Sequence, residues 1–266
     1  MRIDFHVHTF LDKLAPGAIA SLAARSHFTP FTDGTVADTE RLMKEQGVDK
    51  FVALNIAVAP RTERHVNDFA ISLLSRPNII PFGSVHPASE HALEELARLH
   101  AAGVRGVKFH CDYQGVWVDD PLAFPVYERC AEYGMIMLFH GGVDCGFEPP
   151  YKTPPQRMRR VAEAFPQAKI VVAHLGGQTM ADEAIEYLAD TNVYVDTSFS
   201  SRSVPAETAE RVIRAFGVSR VLFGTDCPWD TPAPTVRYLE GMHFTKEELE
   251  LIYSQNALRL LGMKGE

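Results

Sequence analysis

Eight short runs of apolar and β-branched residues recur along the chain, and amphipathic stretches separate them. The runs cover 2–8, 49–56, 78–85, 104–110, 135–141, 169–176, 192–199 and 220–226. Unbroken apolar runs suit strands buried on both faces, as in a parallel sheet. The stretches between, 35–46, 61–75, 88–102, 121–133, 154–165, 179–190 and 205–216, carry helical spacing. Gly47, Gly103, Gly134 and Gly217 each end a helical stretch just before a strand, where left-handed backbone stops a helix. Asp120-Pro121 reads as an N-cap followed by Pro in the first turn. "TPPQ" (153–156) predicts a capping box, and Thr245 with Glu248 predicts another at the start of a closing helical segment, 245–262.

Strands alternating with helices, without a composition break, predict a single-domain (β/α)8 TIM barrel over residues 1–266. The competitor is a doubly wound open sheet, which favours a Gly-rich first turn. No such phosphate-binding motif occurs; "HGG" (140–142) and "HLGG" (174–177) lack the spacing. Two connections are long, 9–34 and 142–153. Both follow strands and so fall on the face where barrel active sites are built. At 46% hydrophobic residues the chain can bury a large core, and its net charge of -8 offers no footprint for nucleic acid or anionic membrane. The four cysteines form no C-x-x-C pair. No signal-type segment and no run of about 18 apolar residues is present. The expectation is a cytoplasmic protein acting on a small molecule, with homo-oligomerisation left open.

Histidine placement is the functional signal. Of eleven histidines, His27, His65, His91, His100 and His243 fall in helices or loops, where an imidazole is ordinarily solvated or packed. The other six, His6, His8, His86, His110, His140 and His174, stand at or just beyond expected strand ends. Asp226 ends the eighth strand and Asp196 lies in the seventh. A barrel gathers all these ends at one mouth. Alternation along a strand puts His6 and His8 on one face. Imidazoles with a carboxylate are the donor set for a divalent metal, Zn²⁺ foremost. His6, His8, His140 and Asp226 are the candidate ligands of one such metal, which leaves His174 to polarise a substrate or move a proton. For His86 and His110 a hydrogen-bonded polar rim explains the placement equally well.

Substrate signals are thinner. Arg61, Arg64, Lys108 and Arg202 lie near strand ends or in the loops after them and can pair with a carboxylate, although a solvated arginine is the commoner outcome. Tyr113, Trp117, Phe147 and Tyr151 can wall a pocket or pack a lid. Cys111, Cys145 and Cys227 lie near the mouth without an activating partner in view.

"DFHVH" in the first strand, "FH" ending the fifth, "AHLGG" ending the sixth and "FGTDCP" ending the eighth resemble the amidohydrolase superfamily. The closer resemblance is to its family 2 branch, through "FGSVHP" (82–87), "GVKFH" (106–110), "FP" (165–166) and "NALRLLG" (256–262). The resemblance runs over nearly the whole chain. It implies a metal-dependent barrel, among whose members are hydrolases of amide, ester or lactone bonds, hydratases, and nonoxidative decarboxylases of aromatic or unsaturated acids. By position, His6 and His8 match the strand-one ligand pair, His140 the strand-five ligand, His174 the catalytic histidine and Asp226 the carboxylate that acts as base. Two-metal members carry a carboxylated lysine where Lys108 stands. Single-metal members have a similar K-x-H, so one metal is expected, with Lys108 and His110 turned toward substrate. The branch's decarboxylases tend to be longer. The compact chain therefore favours a hydrolase acting on a small, carboxylate-bearing substrate, with a decarboxylase or hydratase as the alternative.

Overall fold

Parallel strands close on themselves in the computed structural model, which describes residues 1–264; residues 265 and 266 of the expected domain lie outside the described residues. The strands are β1 (Ile3–His8), β2 (Lys50–Leu54), β3 (Ile79–Pro81), β4 (Gly106–Phe109), β5 (Ile136–Phe139), β6 (Lys169–Val172), β7 (Tyr194–Asp196) and β8 (Val221–Leu222). They pair in chain order within β1–β3 and within β4–β8. Two seams complete the ring. Gly83 N donates to Gly106 O at 3.0 Å and Lys108 N to Gly83 O at 2.8 Å. Phe5 N donates to Phe223 O at 2.8 Å and His8 N to Cys227 O at 2.7 Å. The expected (β/α)8 barrel is the fold.

The core has two shells. Inside the ring, Ile3, Phe5, Val52, Leu54, Ile80 and Leu138 pack together, and Leu258 and Leu261 of the closing helix Asn256–Leu261 join them. Outside it, Phe51, Ala53, Phe109, Phe139 and Val172 meet the helices. In β1 the register shifts between Asp4 and Val7. Such a bulge re-aims side chains. Ile3 and Phe5 belong to the inner shell, Val7 to the outer, and His6 and His8 face the mouth.

Local signals mostly hold. Gly47, Gly103, Gly134 and Gly217 all have positive φ. Asp120 caps its turn from Leu122 N at 2.9 Å, and the Thr245–Glu248 box is reciprocal. The box expected at 153–156 does not form. Its helix runs Pro155–Ala164 with Pro154 as the capping residue, which has no side-chain acceptor. Two of the longer helices escape the sequence reading. Ala15–Ser26 lies inside the 9–34 connection and buries only Ala15 and Ile19, and Pro232–Glu240 follows β8. No helix among the described residues is long and apolar enough to cross a membrane.

Behind the mouth, the chain beyond β5 is clamped to the turn beyond β6. Gly142 bridges to Gln178 and has φ +76°; a Cβ there would lie 2.4 Å from Gln178 N and 2.6 Å from Gln178 O. Left-handed backbone costs an alanine roughly 1–2 kcal/mol, and displaced backbone adds to it. Gly142→Ala is expected to lose at least about 2 kcal/mol, read as a fall in Tm of about 4–8 °C by calorimetry. An unchanged Tm contradicts the clamp.

Candidate active site

A cavity of about 360 Å³ opens at the strand ends. Its floor carries His6, His8, Lys108, His110, His140, His174 and Asp226, and its walls include Phe10, Leu22, Phe28, Leu54, Phe199 and Trp229. The helix Ala15–Ser26 and the segment after it supply Leu22, Ser26 and Phe28, so the long first connection does cover the site.

Two candidate site residues, the strand-end His86 and the loop Arg61, do not reach the cavity. His86 donates from Nε2 to Gln114 O at 2.9 Å and accepts Ala88 N–H on Nδ1 at 3.1 Å, which commits both ring nitrogens. Arg61 sits exposed in the turn Pro60–Thr62, away from the lining residues. Arg64 pairs with Glu95 at 3.0 Å. Arg202 lines the rim but is engaged. It donates to Trp229 O at 2.7 Å and lies 5.3–5.8 Å from the ring centres of Phe28, Phe31 and Phe199. Tyr113 joins the lining, whereas Trp117 lies under Arg157 at 4.0 Å and does not.

The hydrogen bonds fix the imidazole tautomers. A carboxylate or carbonyl oxygen only accepts. His6 Nδ1 is 2.8 Å from Asp196 Oδ2, and His8 Nδ1 is 3.2 Å from Leu54 O. Both rings therefore carry hydrogen on Nδ1 and a lone pair on Nε2. Those two Nε2 atoms stand 3.3 and 3.2 Å from Asp226 Oδ1. Three bases turned on one point repel one another unless a cation lies among them. Metal bonds of about 2.0–2.2 Å place neighbouring tetrahedral donors roughly 3.3–3.5 Å apart, close to the spacing seen. Partners on the far ring nitrogen are the usual support of metal-binding histidines. The donors fit a divalent cation.

His140 follows from the same reasoning. His174 Nδ1 lies 3.1 Å from Ser198 O and 2.8 Å from Ser198 Oγ, so it carries the hydrogen. Its Nε2 then accepts from His140 Nδ1 at 3.0 Å. That leaves His140 Nε2 with a lone pair, buried and without a partner. Its nearest donor grouping differs from the expected one. His140 stacks on His110 at 4.2 Å between ring centres, and its donor atom groups with those of His110 and Asp144 within 4.8 Å. His6, His8 and Asp226 form the adjacent group. Asp144, 2.9 Å from His110 Nε2, and Asp196 are site residues that the sequence reading did not assign. Asp196 had a signal in its place at the end of a strand. Asp144, in an irregular loop, had none.

Burial dominates the electrostatics. It lowers the pKa of His6 to about 3, aided by Lys108, and pushes His140 well below the usual imidazole value, so both are neutral. Burial also brings Lys108 down to about 8 against the pull of Asp196 and Asp226. Its Nζ lies 3.2 Å from His6 Nε2. Burial works to raise Asp226, but its neighbours His8, His6 and His174 outweigh it and hold the carboxyl low. Asp196 is depressed likewise, chiefly by His6.

Comparison with solved structures places this barrel among known ones. An uncharacterised TIM-barrel protein of Bordetella bronchiseptica matches with TM-score 0.82 and 21% identity over 98% of both chains. A dihydroxybenzoic acid decarboxylase of a Polaromonas species, with bound manganese and the inhibitor 2-nitroresorcinol, matches with TM-score 0.74 and 18% identity over 98% of this chain and 96% of that one. A probable 2-pyrone-4,6-dicarboxylic acid hydrolase of Acinetobacter baumannii, with citric acid bound, matches with TM-score 0.70 and 17% identity over 98% and 99%. Further matches are decarboxylases of 5-carboxyvanillate and 2,6-dihydroxybenzoate. No curated protein matches. The family model described as amidohydrolase covers residues 3–263, so the chain belongs to the amidohydrolase family.

Proposed function

We propose that this enzyme is a metal-dependent, nonoxidative decarboxylase of a small planar carboxylic acid, aromatic or unsaturated. The carrying observation is the cavity's division into a floor of imidazoles, Lys108 and Asp226 beneath walls of Phe10, Phe28, Phe199 and Trp229. A flat ring fits between such walls, and its carboxylate meets Lys108 on the floor. Decarboxylation disperses the carboxylate charge, so removing it from water favours the step. Among the structural neighbours, decarboxylases outnumber hydrolases, and each comparison spans nearly all of both chains. Compactness therefore no longer favours hydrolysis.

His6, His8 and Asp226 are the ligands in this reading, with His140 Nε2 as the fourth donor. Bound there, a divalent cation supplies Lewis-acid charge to the substrate's oxygens. A mixed imidazole and carboxylate set accepts Zn²⁺ or Mn²⁺. Lys108 grips the carboxylate. Asp226, ionised in the free site, takes a proton and delivers it to the carbon that loses CO₂, so R–COO⁻ and H⁺ become R–H and CO₂. His174 is held in one tautomer by Ser198 and accepts from His140 Nδ1, which keeps the lone pair on His140 Nε2. The four unpaired cysteines accord with a reducing compartment such as the cytoplasm.

Hydrolysis is the second reading, favoured by the low Asp226 carboxyl, a ready general base for water. Metal-loaded protein offered benzoic and unsaturated acids alongside lactones, esters and amides decides between them. The expected result is CO₂ release that stops on chelation. Cleavage of a lactone, ester or amide with no CO₂ from any acid sinks the decarboxylase reading.

A further inference from the structure

His110 stands on the cavity floor, yet it offers a bound molecule no free nitrogen. Asp144 Oδ2 lies 2.9 Å from its Nε2, and a carboxylate only accepts, so the ring carries its hydrogen there. Its Nδ1 is buried without a partner. What His110 presents to its surroundings is a ring face. That face lies on His140, 4.2 Å between ring centres and 13° from parallel.

His140 needs such a neighbour. His174 Nε2 accepts from its Nδ1 at 3.0 Å, which fixes the tautomer and one atom of the ring. One hydrogen bond leaves the ring free to tilt about that contact, and Nε2, the donor atom, tilts with it. The two residues that follow, Gly141 and Gly142, carry no side chain to steady it. A second restraint must come from elsewhere in the fold, and the His110 face supplies it.

His110 is itself held from three sides. Asp144 takes its Nε2 hydrogen, the Tyr113 ring meets it edge-on at 4.6 Å between centres, and its backbone N donates to Gln114 Oε1 at 3.1 Å. Asp144 is fixed in turn. Its Oδ1 accepts from Gly146 N at 2.7 Å, and its carbonyl accepts from Phe147 N at 3.0 Å.

We infer that His110, anchored by Asp144, is a positioning residue that aims His140 Nε2 at the cation. This rests on the proposed metal site with His140 as its fourth donor. The histidine after β4 then acts through the histidine after β5, and not on the substrate. Asp144, far from either in the sequence pattern, gains a role as the anchor of that brace.

Zinc affinity, measured by competition with a chromophoric chelator, tests it without turnover. His110→Ala is expected to weaken binding about 10–100-fold, the usual scale for a residue that supports a ligand. His110→Phe keeps a ring face against His140 and recovers most of that loss. His140→Ala removes the donor, and adding His110→Ala to it costs nothing further, because the two residues act as one unit. Asp144→Ala frees the His110 ring and weakens binding about tenfold; it carries the test should His110→Ala fail to fold, which unfolding of each metal-free variant reveals. Unchanged affinity in His110→Ala or in Asp144→Ala, additive losses in the double variant, or His110→Phe binding as weakly as His110→Ala overturns the inference alone. The last outcome makes a His110 nitrogen a ligand in its own right. Unmodified protein that binds no zinc, or His140→Ala that binds it undiminished, overturns the proposed metal site together with it.

Discussion

Asp226→Asn is expected to reduce kcat by about a thousandfold or more and to strip most of the bound metal. Asp226 closes the group formed with the Nε2 atoms of His6 and His8, and its carboxylate is the proton carrier in the proposed reaction. Proton-transfer groups alone contribute roughly 10²–10⁴-fold, and losing an anionic ligand adds to that. The variant should fold. Asp226 has φ 71°, a left-handed conformation that asparagine tolerates as well as aspartate does. Its backbone bonds, Asp226 N to His6 O at 2.8 Å and Trp229 N to Asp226 O at 2.8 Å, do not involve the side chain. Elemental analysis of metal per chain and single-turnover kinetics measure the two effects separately. A variant that keeps its metal and a tenth of its rate removes Asp226 from both roles.

The barrel was legible because its strands are buried on both faces. Inner residues such as Val52 and Leu138 and outer ones such as Phe51 and Phe139 are all apolar, so each strand reads as one continuous run. Legibility failed where context outweighs pattern. Along β1 plain alternation opposes His6 and His8 to Ile3 and Phe5, which face the interior. The register shift between Asp4 and Val7 turns the histidines to the mouth, and nothing in "IDFHVH" announces that shift. The helix Ala15–Ser26 was hidden because it buries so little, leaving no amphipathic stripe. His86 ends an expected strand like its five counterparts, yet the Gln114 carbonyl claims it. Only the folded chain reveals which strand-end histidines find protein partners and which keep a lone pair free.

Asp196 makes that distinction for His6, and its replacement is the stricter test of the site. It is fully buried and accepts from His6 Nδ1 at 2.8 Å, His174 N at 3.0 Å, Ser198 N at 3.1 Å and the Ser198 hydroxyl. Asparagine keeps the volume but offers one oxygen and an NH₂ group. Turned so that its oxygen serves His174 N and Ser198, it sets a donor against His6 Nδ1–H. The imidazole must then move its hydrogen to Nε2 and withdraw the lone pair from the group with His8 and Asp226. Metal affinity is expected to fall roughly 10–100-fold, and stability by about 2 kcal/mol, the scale for a hydrogen bond to a buried charged group. The pH dependence carries the signature. The Asp196 carboxyl is held below its ordinary 3.8, because His6, His174 and Ser198 outweigh the burial that works to raise it. Its contribution to stability is therefore fully present above that value and is lost as pH falls below it. In chelator, the unmodified protein should lose stability through this acid window more steeply than Asp196→Asn, as measured by denaturant unfolding at each pH. Parallel acid limbs together with unchanged metal affinity exclude Asp196 as the group that sets the His6 tautomer.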